Sequence, residues 1–411
     1  MMGNEFLEEI INYYLLSGDF NGLPIYNRYD YNLEVLIQLI KEGLVEVISE
    51  NDVRNPHIKA LDLNLSIEHQ IETVKNGKVP MCIYPTPKAL EDIVPDYTKP
   101  YTMVLQKGAY QFDIVFFSIE ILERYNNNPK FSIMDYGYGG TIFVKNEFSD
   151  EGEDEDYIKD YGMAYFKGEQ LNRAVGVFLR DLANLSSNTQ MLWKGLEIKT
   201  QESCFVHPNF KRTLLMGEWV NDYWILDAIL DEMKVINEQC SAMGLPPLFN
   251  KLWGIDYQNR PDGYRTIMLP TMKNYNDFVL VLEKMFVSNI SIDTFQVDAL
   301  RIKKVERKDQ KGDAKGSIVM LKEWLLQNVE ASFDINEKII NPLRKIRKIR
   351  QTPAHEMCNN EYDIAVYKMQ NELIRELYGA MYAMRRLFQG HPLAKCVEIP
   401  KHLDEDNIVF Y

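Results

Sequence analysis

The sequence predicts a mainly α-helical protein with a smaller α+β part at its N-terminal end. From about residue 151 onward, apolar residues step by three and four, the period of an amphipathic helix. Before that, helix-like segments alternate with short β-rich runs such as LVEVIS. The 411 residues are 46% hydrophobic and 26% charged, ordinary globular proportions that exclude a disordered chain, a collagen-like repeat and a coiled-coil rod. At roughly 100–200 residues per domain, such a chain holds several cores. No run approaches the roughly 18 consecutive apolar residues of a membrane span. The N-terminal segment carries acids where a signal peptide needs bases. A cytoplasmic protein with no membrane contact is expected.

The elements follow in order. Residues 5–16 and 31–41 read as helices, and Gly43 stops the second before the strand-like LVEVIS. Helix, Gly stop and strand is how a winged-helix unit ends, so residues 31–61 are a candidate for one. Residues 108–125 (GAYQFDIVFFSIEILERY) are apolar almost all round and read as a buried helix, ended by Asn126-Asn127-Asn128-Pro129. FSIMDYG and GGTIFVK read as two short strands. The acidic run Asp150, Glu151, Glu153, Asp154, Glu155, Asp156 lacks the spacing of a calcium loop and reads as solvated. Leu171, Val175, Phe178, Leu182 and Leu185 form one helical stripe, and Trp219, Tyr223, Leu226, Leu230 and Met233 another. A further helix is expected at 275–287.

Residues 301–316 (RIKKVERKDQKGDAKG) hold few apolar residues and two glycines, and read as an exposed linker. The expected segments are therefore an α+β domain over 1–150, a helical domain over 151–305, a helical domain over 317–395 and an extended tail over 396–411. In the third segment, Ser317 opens a helix with Ile318, Leu321, Trp324 and Leu325 inward. A second helix centres on 336–351. Asp334 and Glu337 have capping-box spacing, and either this helix starts at Pro342 or Pro342 kinks a longer one. The third, 361–388, has the stripe Tyr362, Val366, Met369, Leu373, Leu377, Met381, Met384, Phe388, with Gly390 and Pro392 beyond its end.

Five scattered cysteines (Cys82, Cys204, Cys240, Cys358, Cys396) read as free thiols in a reducing compartment. No zinc, P-loop, dinucleotide or nucleophile-elbow signature occurs, so neither a metal nor a cofactor is expected. Net charge is −14, but it is unevenly spread. Residues 1–300 carry −18, residues 301–350 carry +7 and residues 351–411 carry −3. Two clusters build the basic block: Arg301 to Lys315, and Arg344, Lys345, Arg347, Lys348, Arg350. A local basic block on an acidic chain suits RNA or phosphate, or an acidic patch on the same chain.

One constellation carries chemistry. Leu343, Ile346 and Ile349 step inward, while Arg347 and Arg350 share the opposite edge. Thr352 precedes Pro353, so the helix is expected to end or kink there. Along a straight helix, positions 350 and 355 stand about 140° apart; a kink at Pro353 brings His355 back beside Arg350. An imidazole moves protons near neutral pH, and a guanidinium clamps charge growing on phosphate. Arg350-Gln351-Thr352-Pro353-Ala354-His355 resembles the R-x4–6-H signature of the HEPN superfamily, helical domains common in prokaryotic toxins and antiviral defence. The resemblance covers about residues 317–395 and implies a HEPN-like helical bundle there. It further implies a metal-independent endoribonuclease in which two facing copies form the cleft. His355 would be the general acid/base and Arg350 the phosphate clamp, with Arg344, Arg347 and Lys348 on the RNA backbone. Gln351 and Thr352 depart from the usual apolar and Asn/Asp/His positions.

Three readings follow, the third a winged-helix regulator that rests on residues 31–61 alone. In the first, the chain is a dimeric or higher-order ribonuclease of a bacterial defence or toxin system. Its acidic N-terminal region senses a trigger or restrains the nuclease, with a regulatory protein as a further partner. In the second, the C-terminal bundle dimerises or grips RNA or a nucleotide without cutting it, as the departures at Gln351 and Thr352 favour.

Overall fold

A computed structural model describes residues 2–16, 21–26, 31–59, 63–151, 156–256, 258–355, 359–404 and 407–410; for 2–4, 149–151, 169–170 and 352–355 it describes the backbone alone. Glu153, Asp154, Glu155 and Cys358 lie outside these residues. The chain is mixed, mostly helices with small, chiefly antiparallel sheets. It divides into two compact units. The first comprises Met1–Ile121, Ser149–Gly168 and Arg173–Gly217; the second comprises Leu122–Phe148, Glu169–Asn172 and Glu218–Tyr411. Among the described residues no helix is long and apolar enough to cross a membrane.

The first unit opens with α1 (Met2–Leu15), β1 (Leu23–Ile25), α2 (Leu33–Lys41), β2 (Val45–Ser49), α3 (Ile67–Asn76) and β3 (Met81–Pro85). Asn32 caps α2 by accepting from the N–H groups of Glu34 and Val35. Gly43, at φ 67°, turns the chain into β2, a backbone region that favours glycine. The antiparallel sheet runs β1-β3-β2, with Val47 opposite Ile83. Val45, Val47 and Ile83 pack with Ile10, Leu36, Leu39 and Val74. Ile48, Cys82 and Tyr84 point the other way, toward Tyr14 and Leu90, so both faces of the sheet are covered. A helix-turn-helix needs two successive helices. Here β2 separates α2 from α3.

After α4 (Pro87–Leu90) and α5 (Pro100–Gln106) the structure departs from the sequence reading. The expected helix over 108–125 is instead β4 (Ile114–Ser118), a 3₁₀ turn over Ile119–Leu122 and α6 (Glu123–Asn126). An apolar run buried on all sides looks alike as strand and as helix. The β-branched and aromatic IVFFS decided for strand. β5 (Phe131–Asp135) and β6 (Gly139–Val144), in the second unit, are the two expected strands, paired antiparallel with Phe131 opposite Val144. Then come β7 (Asp160–Phe166) and β8 (Glu169–Phe178). The stripe read from Leu171 to Leu185 is therefore a strand, broken at Phe178 before the short α7 (Leu179–Ala183). β8 pairs with β4, Ile114 opposite Phe178, and Val175 and Val177 are fully buried. The first unit closes with α8 (Ser187–Gly195), β9 (Cys204–Val206) and α9 (Pro208–Met216). Asp156, at the end of the acidic run, accepts from the backbone N–H and hydroxyl of Ser186 and from Thr189 at the start of α8.

In the second unit, Trp219 is 89% exposed and lies before the helix; the stripe that follows begins only after β10 (Tyr223–Trp224), in α10 (Ile225–Ala242). α11 (Met272–Leu282) continues as a π turn over Glu283–Val287, which accounts for the helix expected at 275–287. α12 (Ser317–Asn328) follows the basic loop. A second π turn, Asn336–Ile340, leads into α13 (Asn341–His355), so Pro342 stands inside a longer helical run. Pro342 has no N–H for the carbonyl four residues back, and the widened turn immediately before it accommodates that loss. Asp334 caps this run by accepting from the Asn336 N–H at 2.7 Å. α14 (Ala365–Gln389) is the longest helix described. The chain ends in α15 (Lys401–Asp404) and β11 (Ile408–Val409), which lies parallel to β10.

These helices share one core. Leu373, Leu377, Met381, Met384 and Phe388 of α14 are buried with Leu230 and Met233 of α10, Phe286, Trp324, Leu343 and Ile346. Residues 317–395 thus pack with α10 and α11, and the 301–316 segment lies inside the second unit. Met381 and Met384 are wholly buried within one chain, while Met369 is partly exposed. Truncating Ile346 to Ala should cost about 2–5 kcal/mol, since its 0% exposure leaves a cavity. Truncating its exposed neighbour Arg347 should cost within about 0.5 kcal/mol. Urea unfolding of the two variants checks this contrast.

Candidate nucleic-acid interface

The core sets the rotation of α13. Leu343 and Ile346 are fully buried and Ile349 is partly so, packed beside α11 and α14. The intervening positions must then face water, and Arg344, Arg347, Lys348 and Arg350 are exposed. Lys345 is only half-exposed, its ammonium held by Glu376 of α14 at 2.7 and 2.9 Å. Such an exposed pair is worth at most about 1 kcal/mol, but it removes one of the five cations from the outward face. Arg350 follows Leu343 by two turns and so lies within about 20° of its meridian. Its exposure means that the core ends before the last turn of α13. It does not share Arg347's edge as closely as the spacing suggests.

The break expected at Thr352–Pro353 is absent. The backbone stays helical through Pro353 and ends at His355. A proline near the C-terminal end of a helix loses one backbone bond, to the carbonyl of Ile349, without stopping the chain. The 350 and 355 positions keep their separation of about 140° around the axis. The His355 side chain itself lies outside the described residues. Downstream, the backbone N–H groups of Met272 and Lys273 donate to the Glu361 carbonyl and to Asn360 Oδ1, which fastens the approach to α14 onto the start of α11.

The other histidines have structural partners. His57 Nδ1 meets the Cys82 thiol at 3.1 Å, and burial pushes that thiol up to about 12, so it stays protonated and unreactive. His69 pairs with Asp52 at 2.6 Å, and His207 caps α9. His391 meets the Leu300 carbonyl at 2.8 Å. His402 pairs with Asp231 at 2.9 Å. Cys82, Cys204 and Cys240 are buried free thiols, and Cys396 is an exposed one. Among the described residues no cluster of three or more His, Cys, Asp or Glu is placed to hold a metal.

A buried ionic cluster escaped the sequence reading. Arg385 of α14 and Glu232 of α10 are both wholly buried and paired at 2.7 Å. Arg385 also reaches Asp404 at 3.0 Å and the Leu403 carbonyl at 3.3 Å. Along the same side of α10, Asp227 pairs with Arg260, and Asp231 meets His402 and Tyr223. The signal was present: position 385 stands one helical turn beyond Met381, in line with the apolar stripe, and Asp227 and Asp231, one turn apart, and the adjacent Glu232 interrupt an apolar helix.

Comparison of the chain with protein-family models, with curated proteins and with solved structures finds no match.

Burial raises the Glu232 carboxyl to about 7, against the attraction of Arg385, and raises Asp227 to about 6. A carboxyl with a raised pKa binds its proton more tightly folded than unfolded. Its contribution to stability is therefore whole in acid and is lost as pH rises through 6–7. Glu232→Gln should remove part of that decline. Melting temperatures of parent and variant between pH 5 and 8 check it, with the largest divergence expected between pH 5 and 7.

Proposed function

We propose that the chain binds RNA through the outward face of α13. Following its resemblance to HEPN ribonucleases, it would cut that RNA with Arg350 and His355 brought together across two facing copies. The observation that carries this reading is the rotation of α13, which holds Arg344, Arg347 and Lys348 in water while Leu343 and Ile346 are locked in the core, together with Arg350, exposed where the core ends. Positions 350 and 355 stand about 140° apart around one axis, so this reading relies on the two facing copies that the resemblance implies. In the proposed step, His355 takes the proton from the ribose 2′-hydroxyl as its oxygen attacks the adjacent phosphorus. The bond to the 5′-oxygen breaks, and that oxygen leaves as a hydroxyl, its proton returned from the imidazolium directly or through water. Arg350 balances the charge on the non-bridging oxygens. The products are a 2′,3′-cyclic phosphate and a 5′-hydroxyl. In a defence or toxin setting, the acidic first unit would act as sensor or restraint.

A second reading, binding without cleavage, is favoured by the unbroken helix through Pro353 and by Gln351 and Thr352. Incubation of the full chain with RNA and EDTA separates the two: cleavage that survives chelation supports the first, and retention of intact RNA supports the second. His355→Ala should lower cleavage by about 10²–10⁴-fold with an unchanged melting temperature. Arg350→Lys should also fail, because an ammonium lacks the bidentate fork, whereas Arg347→Lys should be mild. Equal cleavage by His355→Ala and parent would end the catalytic reading. Light scattering should show a dimer or larger. A clean monomer at micromolar concentration with full activity would contradict the composite site.

A further inference from the structure

The 301–316 segment, which the sequence presents as a linker, is a built hairpin. Ile302 and Val305 are buried in the core of the second unit and anchor it. Asn328 of α12 holds Lys303 from both sides, accepting its backbone N–H at 2.8 Å and donating to its carbonyl at 2.9 Å. The Lys315 N–H donates to the Arg307 carbonyl, and Lys308 bridges to Ala314 across the hairpin. Asp309 spends its carboxylate on the loop's own backbone, accepting from the N–H groups of Lys311 and Asp313 at 2.8 and 3.0 Å. Lys315 is taken by Glu323, and Lys304 lies 3.9 Å from Asp298. Arg307, Lys308 and Lys311 are left exposed on a scaffold held at both ends.

This hairpin adjoins α13. A Cβ built on Gly316 would stand 3.7 Å from Arg347 Nη1, and Gly316 directly follows Lys315, which is bonded to Arg307. The base of the hairpin that carries one basic cluster therefore stands beside Arg347 of the other, some thirty residues on in sequence. We propose that hairpin 307–316 and the outward face of α13 form one continuous phosphate-binding track, an extension that rests on the RNA reading of α13. The track fits the backbone of single-stranded RNA without reading its bases. Neither 301–316 nor 341–351 contains an aromatic residue on which a base could stack. Fixed cations on an anchored loop contact phosphate with little ordering cost.

The test uses the full chain and fluorescence anisotropy with labelled homopolymeric RNA, oligo-U and oligo-A, across a salt series. With about six phosphate contacts, the log–log slope should be near −4. The variant Arg307→Gln/Lys308→Gln/Lys311→Gln should bring it to about −2 and weaken binding at low salt by at least about tenfold. Its melting temperature should be unchanged, and Lys308→Gln alone should show a smaller shift in the same direction. Oligo-U and oligo-A should bind with similar affinity. The variant Arg344→Gln/Arg347→Gln should lose a comparable share. If the hairpin variant keeps the parent's slope and affinity while the α13 variant weakens, the extension is overturned and the α13 reading stands. If neither variant changes binding, the α13 reading fails as well. Loss of polyglutamate binding with RNA binding intact would identify an acidic protein as the ligand and overturn the proposal.

Discussion

The burial of Leu343 and Ile346 is the constraint on which the rest of the candidate site depends. Both side chains are fully enclosed between α11 and α14, and a helix pinned at two such points cannot rotate without opening cavities worth several kcal/mol. Most of what is exposed on α13 follows from that. Arg344, Arg347 and Lys348 face water because the positions between them do not. Arg350 faces water for a different reason, since the core stops short of its turn. The cations are thus presented by packing, and their attachment to the fold is indifferent to salt even though their partner's would not be.

The second constraint is electrostatic. α10 and α14 meet around Arg385 and Glu232, a pair removed from water on both sides. Such a pair contributes little net stability, yet losing one partner strands the other at a cost of about 3–5 kcal/mol. It also ties the chain's end to the helices, because Arg385 holds Asp404 and the Leu403 carbonyl while Asp231 holds His402. The final segment is clipped onto α10 and α14 by directional bonds, and β11 completes the attachment by pairing with β10.

What the sequence disclosed follows physical lines. The stripe of α14 from Val366 on and the inward triplet of α13 were legible from their helical period, whereas Tyr362, expected to open the stripe, is 63% exposed and precedes the helix. The strands β5 and β6 were legible from their β-rich runs. Residues 171–178 were misread as helix because the strand is buried on both faces from Arg173 to Phe178 and so loses the alternation that identifies it, and residues 114–118 because their apolar, half-buried run shows no alternation either. Trp219 looked like the first member of a helical stripe and proved almost wholly exposed. The proline rule placed a break at Thr352–Pro353, where the helix had few remaining bonds to lose and ran on to His355. The hairpin at 301–316 looked like a linker because its anchors, Ile302, Val305 and the distant Asn328, are too few to form a pattern. Arg385 was overlooked because an arginine in an apolar stripe finds its acid on another helix.

The central claim is that RNA lies on α13. Hydrogen exchange of the full chain, measured by mass spectrometry with and without single-stranded RNA, tests it most directly. The account expects slowed exchange in peptides covering 301–316 and 341–355, with the buried stripe of α14 unaffected. Protection confined to other segments, with α13 exchanging as in the free chain, would contradict it.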